Sequence, residues 1–128
     1  MLLLDTCTLL WLTTDPTRLS VRAKTSIAQS VGNLWVSAIS AFEVGQKYRA
    51  RRLLLAVEPE EWWPKALQNH GLQTVDVTGE IALASTRLPA IHRDPCDRLI
   101  IATAQIHNAA VVTSDPIFSQ YPGITIVW

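Results

Sequence analysis

Four of the eleven acidic residues stand where an apolar segment gives way to a helix or a turn, whereas the others lie in polar surroundings. The four are Asp5, Glu43, Asp97 and Asp115. The first and the last directly follow short apolar runs that predict strands, and the other two lie early in predicted helices. In a parallel α/β sheet, strand ends and helix starts lie along one edge, where ligand sites form. We therefore expect these carboxylates to converge, although they are far apart in the sequence.

Carboxylates that meet in space need a cation, because like charges raise each other's pKa values until a positive charge neutralises them. No histidine or cysteine accompanies the four acids at a metal-ligand spacing, so the cluster offers hard oxygen ligands. Such ligands favour Mg²⁺, or Mn²⁺, over zinc. One or two such ions can activate a water and stabilise the in-line displacement at a phosphodiester. The acids therefore predict metal-dependent cleavage of phosphodiesters.

Each of these acids also has a purely structural interpretation. Asp5 could cap the first helix, and Asp115 could belong to an Asp-Pro turn. Glu43 could close a capping box with Ser40 or pair with Lys47 one helical turn later. Four such coincidences along one predicted sheet edge are less plausible than one shared site, which favours the functional interpretation.

The segment from His92 to Ala104 changes from a charged loop to an apolar helix within a few residues. Asp94 is a good N-cap and Pro95 a good first helical residue, which places Asp97 at the third helical position. The helix dipole stabilises an ionised carboxylate there. The helix is apolar on nearly every side, so we expect it to be buried. Its apolar residues are Leu99, Ile100, Ile101, Ala102, Ala104 and Ile106.

Short apolar strands alternate with helices along the chain. Strands are predicted at 1–4, 34–36, 72–77, 110–113 and 124–128. Helices are predicted at 7–12, 20–30, from Ser37 or Ser40 through Tyr48, 59–71, 78–88 and 94–108. This alternation predicts an α/β fold with a central parallel sheet flanked by helices on both faces. The length predicts a single domain over residues 1–128.

The eleven lysines and arginines balance the eleven aspartates and glutamates, so no overall basic charge indicates nucleic-acid binding. Any such affinity must come from a local patch, and the candidate is the basic run Lys47–Arg52, just after Glu43. This run could hold a phosphate backbone near the metal or form a solvated helix end. Arg98, beside Asp97, could contact a phosphate or form an ion pair.

The remaining reactive and aromatic residues have simpler interpretations. Cys7 and Cys96 lack metal-finger spacing and are predicted to be packing residues with reduced thiols. His92 and His107 are predicted to be ordinary surface or loop histidines. The chain start has no basic leader, and no segment approaches the ~20 apolar residues of a membrane span, so we expect a cytoplasmic protein. The tryptophans expected in the core or at an oligomer surface are Trp11, Trp35, Trp62 and Trp63.

Four segments of the chain resemble a PIN domain. They are Leu2–Thr6, Ser37–Glu43 with Lys47 following, Leu88–Ala104 and Val112–Asp115. The resemblance extends over essentially the whole chain, including the closing segment 124–128, and its most specific part is His92–Ala104. More narrowly, the chain resembles VapC-type toxins of type II toxin–antitoxin pairs.

This resemblance implies a PIN-like fold and a Mg²⁺- or Mn²⁺-dependent endoribonuclease that forms a homodimer and is inhibited by a cognate VapB-type antitoxin. It assigns the catalytic and metal-binding roles to the four acids identified above, and Asp94 matches a further acid that is better explained as a helix cap. Candidates for contact with the RNA substrate or for support of the acids are Thr6, Lys47, Asp94, Arg98, Thr113 and Ser114.

Two residues depart from the resembled pattern. Relatives often have histidine where Cys7 stands and phenylalanine where Cys96 stands. Neither change removes a predicted metal ligand, so both bear on metal affinity and redox sensitivity rather than on the reaction itself.

Two other classes of function compete with the nuclease. One is a non-catalytic PIN-like module that binds a protein partner, which the presence of all four acids argues against. The other is a phosphotransfer domain with an aspartyl-phosphate, since Asp5-Thr6 after a strand resembles the start of some phosphatases. Those enzymes carry a second aspartate two positions later, where this chain has Cys7.

Overall fold

The computed structural model describes residues 1–128 as a five-stranded parallel sheet with six α-helices. The strands are β1 (Leu2–Leu4), β2 (Leu34–Ser37), β3 (Leu72–Val75), β4 (Ala110–Val112) and β5 (Thr125–Val127). The helices are α1 (Thr6–Thr14), α2 (Val21–Gln29), α3 (Ala38–Arg49), α4 (Pro59–His70), α5 (Gly79–Thr86) and α6 (Pro95–His107). The predicted α/β class and parallel sheet are confirmed.

The order of the strands, β3-β2-β1-β4-β5, places β1 at the centre of the sheet. The chain first builds outward from β1 through β2 and β3, and then returns so that β4 pairs with the other side of β1. Leu4, at the end of β1, is in register with Val36 on one side and Val112 on the other. Parallel α/β sheets bind ligands at such a reversal point, beyond the carboxyl ends of the strands.

Alternating side chains of the strands supply two separate cores, one on each face of the sheet. Leu2 and Leu4 pack with residues of α1, α2 and α4, whereas Leu3 packs with residues of α5 and α6. The middle of α6, from Ile100 to Ala104, is fully buried, as its composition predicts. Ile106 departs from that prediction, since it lies 38% exposed beyond the covered part of the helix.

The predicted tryptophan positions are mostly in the interior. Trp11, Trp62 and Trp63 are partly buried against the first core, and Trp35 is partly buried against the second. Trp11 also contacts Trp128, with 5.7 Å between the ring centroids. The tryptophans therefore contribute to packing between the helices and the sheet.

Helix ends follow the sequence signals closely. Ser20 caps α2 by accepting the Ala23 N–H at 3.0 Å, and α4 ends at Gly71, whose φ of 62° is left-handed. Of the two candidate caps for α3, Ser37 performs this role by accepting the Ile39 N–H. Two short 3₁₀ helices, Pro16–Arg18 and Pro116–Gln120, were not predicted. No helix combines the length and apolarity that a membrane crossing requires.

Candidate active site

Asp5 lies at the centre of the carboxyl edge and is almost completely buried, with 5% of its surface exposed. Its Oδ1 accepts the backbone N–H of Thr8 at 2.7 Å, which caps α1, and its Oδ2 accepts the hydroxyl of Thr113 at 2.5 Å. Burial raises the pKa of Asp5, and the hydrogen bonds from Thr113 and Thr8 oppose that rise. The capping interpretation of Asp5 is thus correct, and the same residue stands at the predicted site.

Glu43, in the second turn of α3, is held by a threonine from the neighbouring helix. The hydroxyl of Thr6 donates to Glu43 Oε1 at 2.6 Å and lies 2.9 Å from the hydroxyl oxygen of Ser40. Burial raises the pKa of Glu43, with a further contribution from the charge of Asp94. Glu43 has no ion pair with Lys47, and Ser40 bonds Thr6 rather than closing a capping box, so both structural alternatives for Glu43 are wrong.

Asp94 and Asp97 occupy the start of α6 as the sequence predicts. Asp94 Oδ1 accepts the Cys96 N–H at 2.8 Å, which confirms the cap, and Asp97 is the third residue of the helix. The ligand oxygens of Glu43, Asp94 and Asp97 lie within 4.8 Å of one another. Burial, followed by the charges of Asp94 and Glu43, raises the pKa of Asp97 to about 7. Three carboxylates therefore face one another with too little positive charge between them.

A histidine that the sequence reasoning missed joins this cluster. His92 is buried, and its Nε2 lies 3.1 Å from Asp97 Oδ2 and 3.0 Å from Asp115 Oδ2. His92 lies in a loop as predicted, but it is buried and joins the acids, so the prediction that it is an ordinary surface or loop histidine missed its place in the site. The one local hint was that this loop leads directly into the Asp94 cap.

Asp115 is tied to both the sheet and the histidine. Its Oδ1 accepts the Ile117 N–H at 2.9 Å, which caps the second 3₁₀ helix, and its backbone N–H donates to Thr113 Oγ1 at 3.0 Å. The Thr113 hydroxyl thus links Asp5 to Asp115, whereas Ser114 is exposed and takes no part in this link.

Glu43, Asp97 and Asp115 lie close together as predicted, and Asp5 lies beside them without joining either group of close ligand atoms. Asp97 belongs to both groups of close ligand atoms, one with Glu43 and Asp94 and the other with His92 and Asp115. Asp5 adjoins these groups through Thr113, but both of its oxygens already accept hydrogen bonds. The donor set is mostly carboxylate oxygen, and burial raises the pKa of Glu43 and of Asp97, which is the chemistry that a divalent cation satisfies.

A groove of about 840 Å³ opens from the acids along α3. Glu43 and Asp94 line one part of it, and basic residues of the run 47–52 line the rest. Arg49 pairs with Glu58 and Glu60, each at 3.2 Å, whereas Lys47 and Arg52 form no ion pair. The groove therefore presents free positive charge next to a concentration of negative charge.

Arg98 has a role that differs from both alternatives considered for it. Its guanidinium donates to the backbone oxygens of Ser85, Leu88, Pro89 and His92 at 2.9–3.2 Å. It forms no ion pair with Asp97, and its donors face the chain rather than the groove. The expected ion pair is therefore wrong, the phosphate contact stays a prediction, and Arg98 fixes the loop that carries His92.

The two cysteines flank the acids as free thiols. Cys7 is exposed, so the prediction that it is a packing residue is wrong, whereas Cys96 is partly buried. Burial raises the pKa of both thiols, and neighbouring carboxylates add to the effect, which brings Cys96 to about 11. Both cysteines therefore stay protonated at neutral pH beside the metal-free cluster.

Comparison with known proteins identifies the family. The model of the PIN domain family matches residues 2–124. The chain belongs to the PIN domain family. It is 38% identical over 114 residues to Ribonuclease VapC22 of Mycobacterium tuberculosis (strain ATCC 25618 / H37Rv), an alignment that covers 88% of this chain and 85% of the relative. The predicted resemblance to PIN proteins of the VapC type is confirmed.

Solved structures show the same PIN fold. One is VapBC2 from Rickettsia felis bound to a DNA fragment from its promoter, with a TM-score of 0.73, 16% identity and coverage of 98% of this chain and 96% of that one. Another is DNA-bound VapBC from Salmonella typhimurium, with a TM-score of 0.70, 20% identity and coverage of 98% and 95%. At these identities the likeness concerns the fold alone.

Proposed function

We propose that this PIN protein is a Mg²⁺- or Mn²⁺-dependent endoribonuclease and the toxin of a type II toxin–antitoxin pair. The observation that carries the proposal is the meeting of Asp97 with Glu43 on one side and Asp115 on the other, beside Asp5. Next to these acids lies a groove in which Lys47 and Arg52 form no ion pair. The similarity to a relative named Ribonuclease VapC22 supports the same activity. We assign the catalytic and metal-binding roles to these four acids.

The acids fit a hard divalent cation because a bound cation would remove the repulsion between their negative charges. Asp97 would bind it together with Glu43 on one side and Asp115 on the other, and Asp5 would complete the negative surroundings. Bound Mg²⁺ or Mn²⁺ supplies Lewis acidity and lowers the pKa of a water. Thr6 and Thr113 orient Glu43 and Asp5, so these acids need little rearrangement.

The groove along α3 gives the RNA a path to the acids. Lys47 and Arg52 are free to contact phosphates, and Ser114 is exposed beside Asp115. A phosphate contact predicts that Lys47→Gln weakens RNA binding similarly for all sequences and lowers the salt dependence by about one ion. Lys24→Gln, on the exposed surface of α2, is the matched control.

The partners are part of the same proposal. We propose a VapB-type antitoxin, because solved structures with this fold are VapBC complexes. We also propose a homodimer, which the resemblance to VapC-type toxins implies. Phe42, which is 53% exposed and lines the groove, is an apolar contact that a covering antitoxin segment would bury. Light scattering of the isolated chain and of its antitoxin complex measures both assemblies.

The decisive experiment is cleavage of a mixed RNA pool by antitoxin-free protein with Mg²⁺, Mn²⁺ or chelator. Asp97→Asn should abolish the cleavage, whereas Asp76→Asn, an exposed acid after β3, should retain it. Chelator-resistant cleavage would contradict the metal requirement. Metal binding without cleavage of any RNA would favour the non-catalytic module.

The phosphotransfer alternative is disfavoured by the surroundings of Asp5. Its carboxylate is almost completely buried, and a hydrogen bond holds each of its oxygens, so a phosphoryl donor has little access to it. Labelling of Asp5 by a phosphoryl donor or a beryllofluoride analogue would reverse this conclusion.

A further inference from the structure

His92 lies between two acids that belong to different elements. Asp97 is on α6 and Asp115 follows β4, yet one nitrogen, Nε2, lies within 3.0–3.1 Å of an Oδ2 atom of each. Two carboxylate oxygens at such distances from one nitrogen indicate that this nitrogen carries a proton, because a lone pair would be repelled by both.

The other ring nitrogen fixes the same tautomer. The backbone N–H of Asp94 donates to His92 Nδ1 at 3.2 Å, so Nδ1 must carry the lone pair. A neutral imidazole then has its only proton on Nε2, where it faces Asp97 and Asp115. The bond from the Asp94 N–H and the positions of the two acids therefore indicate the same tautomer of the His92 ring.

The ring is also held from behind. The His92 N–H donates to the hydroxyl oxygen of Tyr121 at 2.7 Å, and that hydroxyl donates to the carbonyl of Pro89 at 2.8 Å. Phe118 packs edge-on against the imidazole, with 5.8 Å between the centroids. Arg98 binds the His92 carbonyl. Such a prearranged donor can dictate the position of a flexible carboxylate.

We propose that His92 is a positioning residue whose Nε2–H binds Asp115 and lies against Asp97, which keeps the two carboxylates side by side so that one divalent cation can bind both. This inference rests on the proposed function, since the cation is that of the nuclease. A single N–H donor suits the task because the carboxylates keep further acceptor sites for the cation. A lysine or arginine at this place would supply the positive charge itself.

The test compares three variants by calorimetric titration with Mn²⁺. His92→Phe keeps a ring against Phe118 but removes the donor, and it should weaken Mn²⁺ binding about 10- to 100-fold. His92→Gln places an amide N–H near the position of Nε2 and should restore most of the affinity. Tyr121→Phe removes the hydroxyl behind the ring without touching the acids, and it should lower the melting temperature and weaken Mn²⁺ binding less than His92→Phe does.

A second measurement separates positioning from direct metal ligation. In ¹⁵N spectra of the imidazole, Nε2 should carry its proton both in the metal-free protein and after saturation with Mg²⁺. Loss of this proton on adding Mg²⁺ would make His92 a ligand and overturn the proposal. Equal Mn²⁺ affinity of wild type and folded His92→Phe would also overturn it.

These measurements distinguish a failure of the His92 role from a failure of the nuclease proposal. Wild-type RNA cleavage combined with unchanged Mn²⁺ binding in His92→Phe refutes only the role of His92. Absence of both Mn²⁺ binding and cleavage in the wild type refutes the metal site, and the role of His92 fails with it.

Discussion

Asp5 and Asp97 are residues of the same type in the same site, but their surroundings are opposite. Asp5 is 5% exposed at the end of a central strand, and donors from Thr8 and Thr113 satisfy both of its oxygens. The Asp97 side chain is 21% exposed on a helix, where it faces Glu43 and Asp94 and has one nitrogen, His92 Nε2, at 3.1 Å. The protein thus satisfies one carboxylate internally and leaves the other short of positive charge.

This difference teaches that the two acids divide structural and chemical duties. Asp5 caps α1 and joins β1 to the residue after β4, so it belongs to the framework as well as to the site. In the metal-free protein, Asp97 and the neighbouring carboxylates of Glu43 and Asp94 repel one another. A bound cation would remove this repulsion, which favours a functional role for Asp97. Stability and activity should therefore respond in opposite ways around these two acids.

The largest expected effect is on catalysis through Asp97. Asp97→Asn should reduce RNA cleavage by about three orders of magnitude, because a bound ion contributes several kcal/mol and each 1.36 kcal/mol is tenfold. The same variant should melt at a higher temperature than the wild type when metal is absent. Single-turnover cleavage and calorimetry of one preparation measure both, and a less stable variant would contradict the division of duties.

The next effect is a pH dependence of the metal-free fold. The pKa of Asp97 rises from 3.8 to about 7 on folding, so the folded chain binds more protons than the unfolded chain in this window. The free energy of unfolding should therefore fall as pH rises from 3.8 to about 7, by about 3 kcal/mol after allowance for solvent screening. Urea titrations across this range test it. Asp97→Asn should flatten the curve, and saturating Mg²⁺ should oppose the loss.

A smaller effect is expected at Arg98, the next residue after Asp97, and it concerns stability rather than catalysis. Arg98→Lys should lower the free energy of unfolding by about 2 kcal/mol, because an ammonium group cannot reach all four carbonyls that the guanidinium binds. Arg87→Lys, an exposed arginine near the same loop, should have no effect. Equal stability of the two variants in urea would show that the loop does not need this clamp.

The smallest effect tests the framework around Asp5. Thr113→Val keeps the side-chain shape but removes the donor to Asp5 Oδ2 and the acceptor of the Asp115 N–H. It should cost about 1 kcal/mol or somewhat more. Thr125→Val, exposed on β5, is the matched control. Chemical denaturation of both variants measures the difference, and an unchanged midpoint for Thr113→Val would mean that Asp5 is not held in this way.

The sequence predicted the framework of the fold well because the relevant signals are local. Apolar runs marked four of the strands and an alternating pattern marked β3, and caps such as Ser20, Asp94 and Gly71 marked helix ends within a few residues. The four acids were recognisable because each lies at the end of a strand or near the start of a helix. The 3₁₀ helix after Asp115 was missed because an Asp-Pro signal is equally typical of a plain turn.

What the sequence did not reveal depends on contacts between distant segments. His92 meets Tyr121 29 positions later and Asp115 23 positions later, and no local pattern encodes either contact. The partners of Arg98 are backbone carbonyls, which carry no side-chain signature. Cys7 was assigned to packing from its residue type, but it lies on the open side of α1.

The strand order determines when the site can form during synthesis of the chain. β1 is made first, yet its second neighbour, β4, comes near the end of the chain, and the Thr113–Asp5 bond spans 108 positions. A nascent chain on the ribosome holds Asp5 and Glu43 long before it holds the other acids or His92. Non-local pairing of this kind forms late. The proposed nuclease site is therefore incomplete until the residues after β4 have been made.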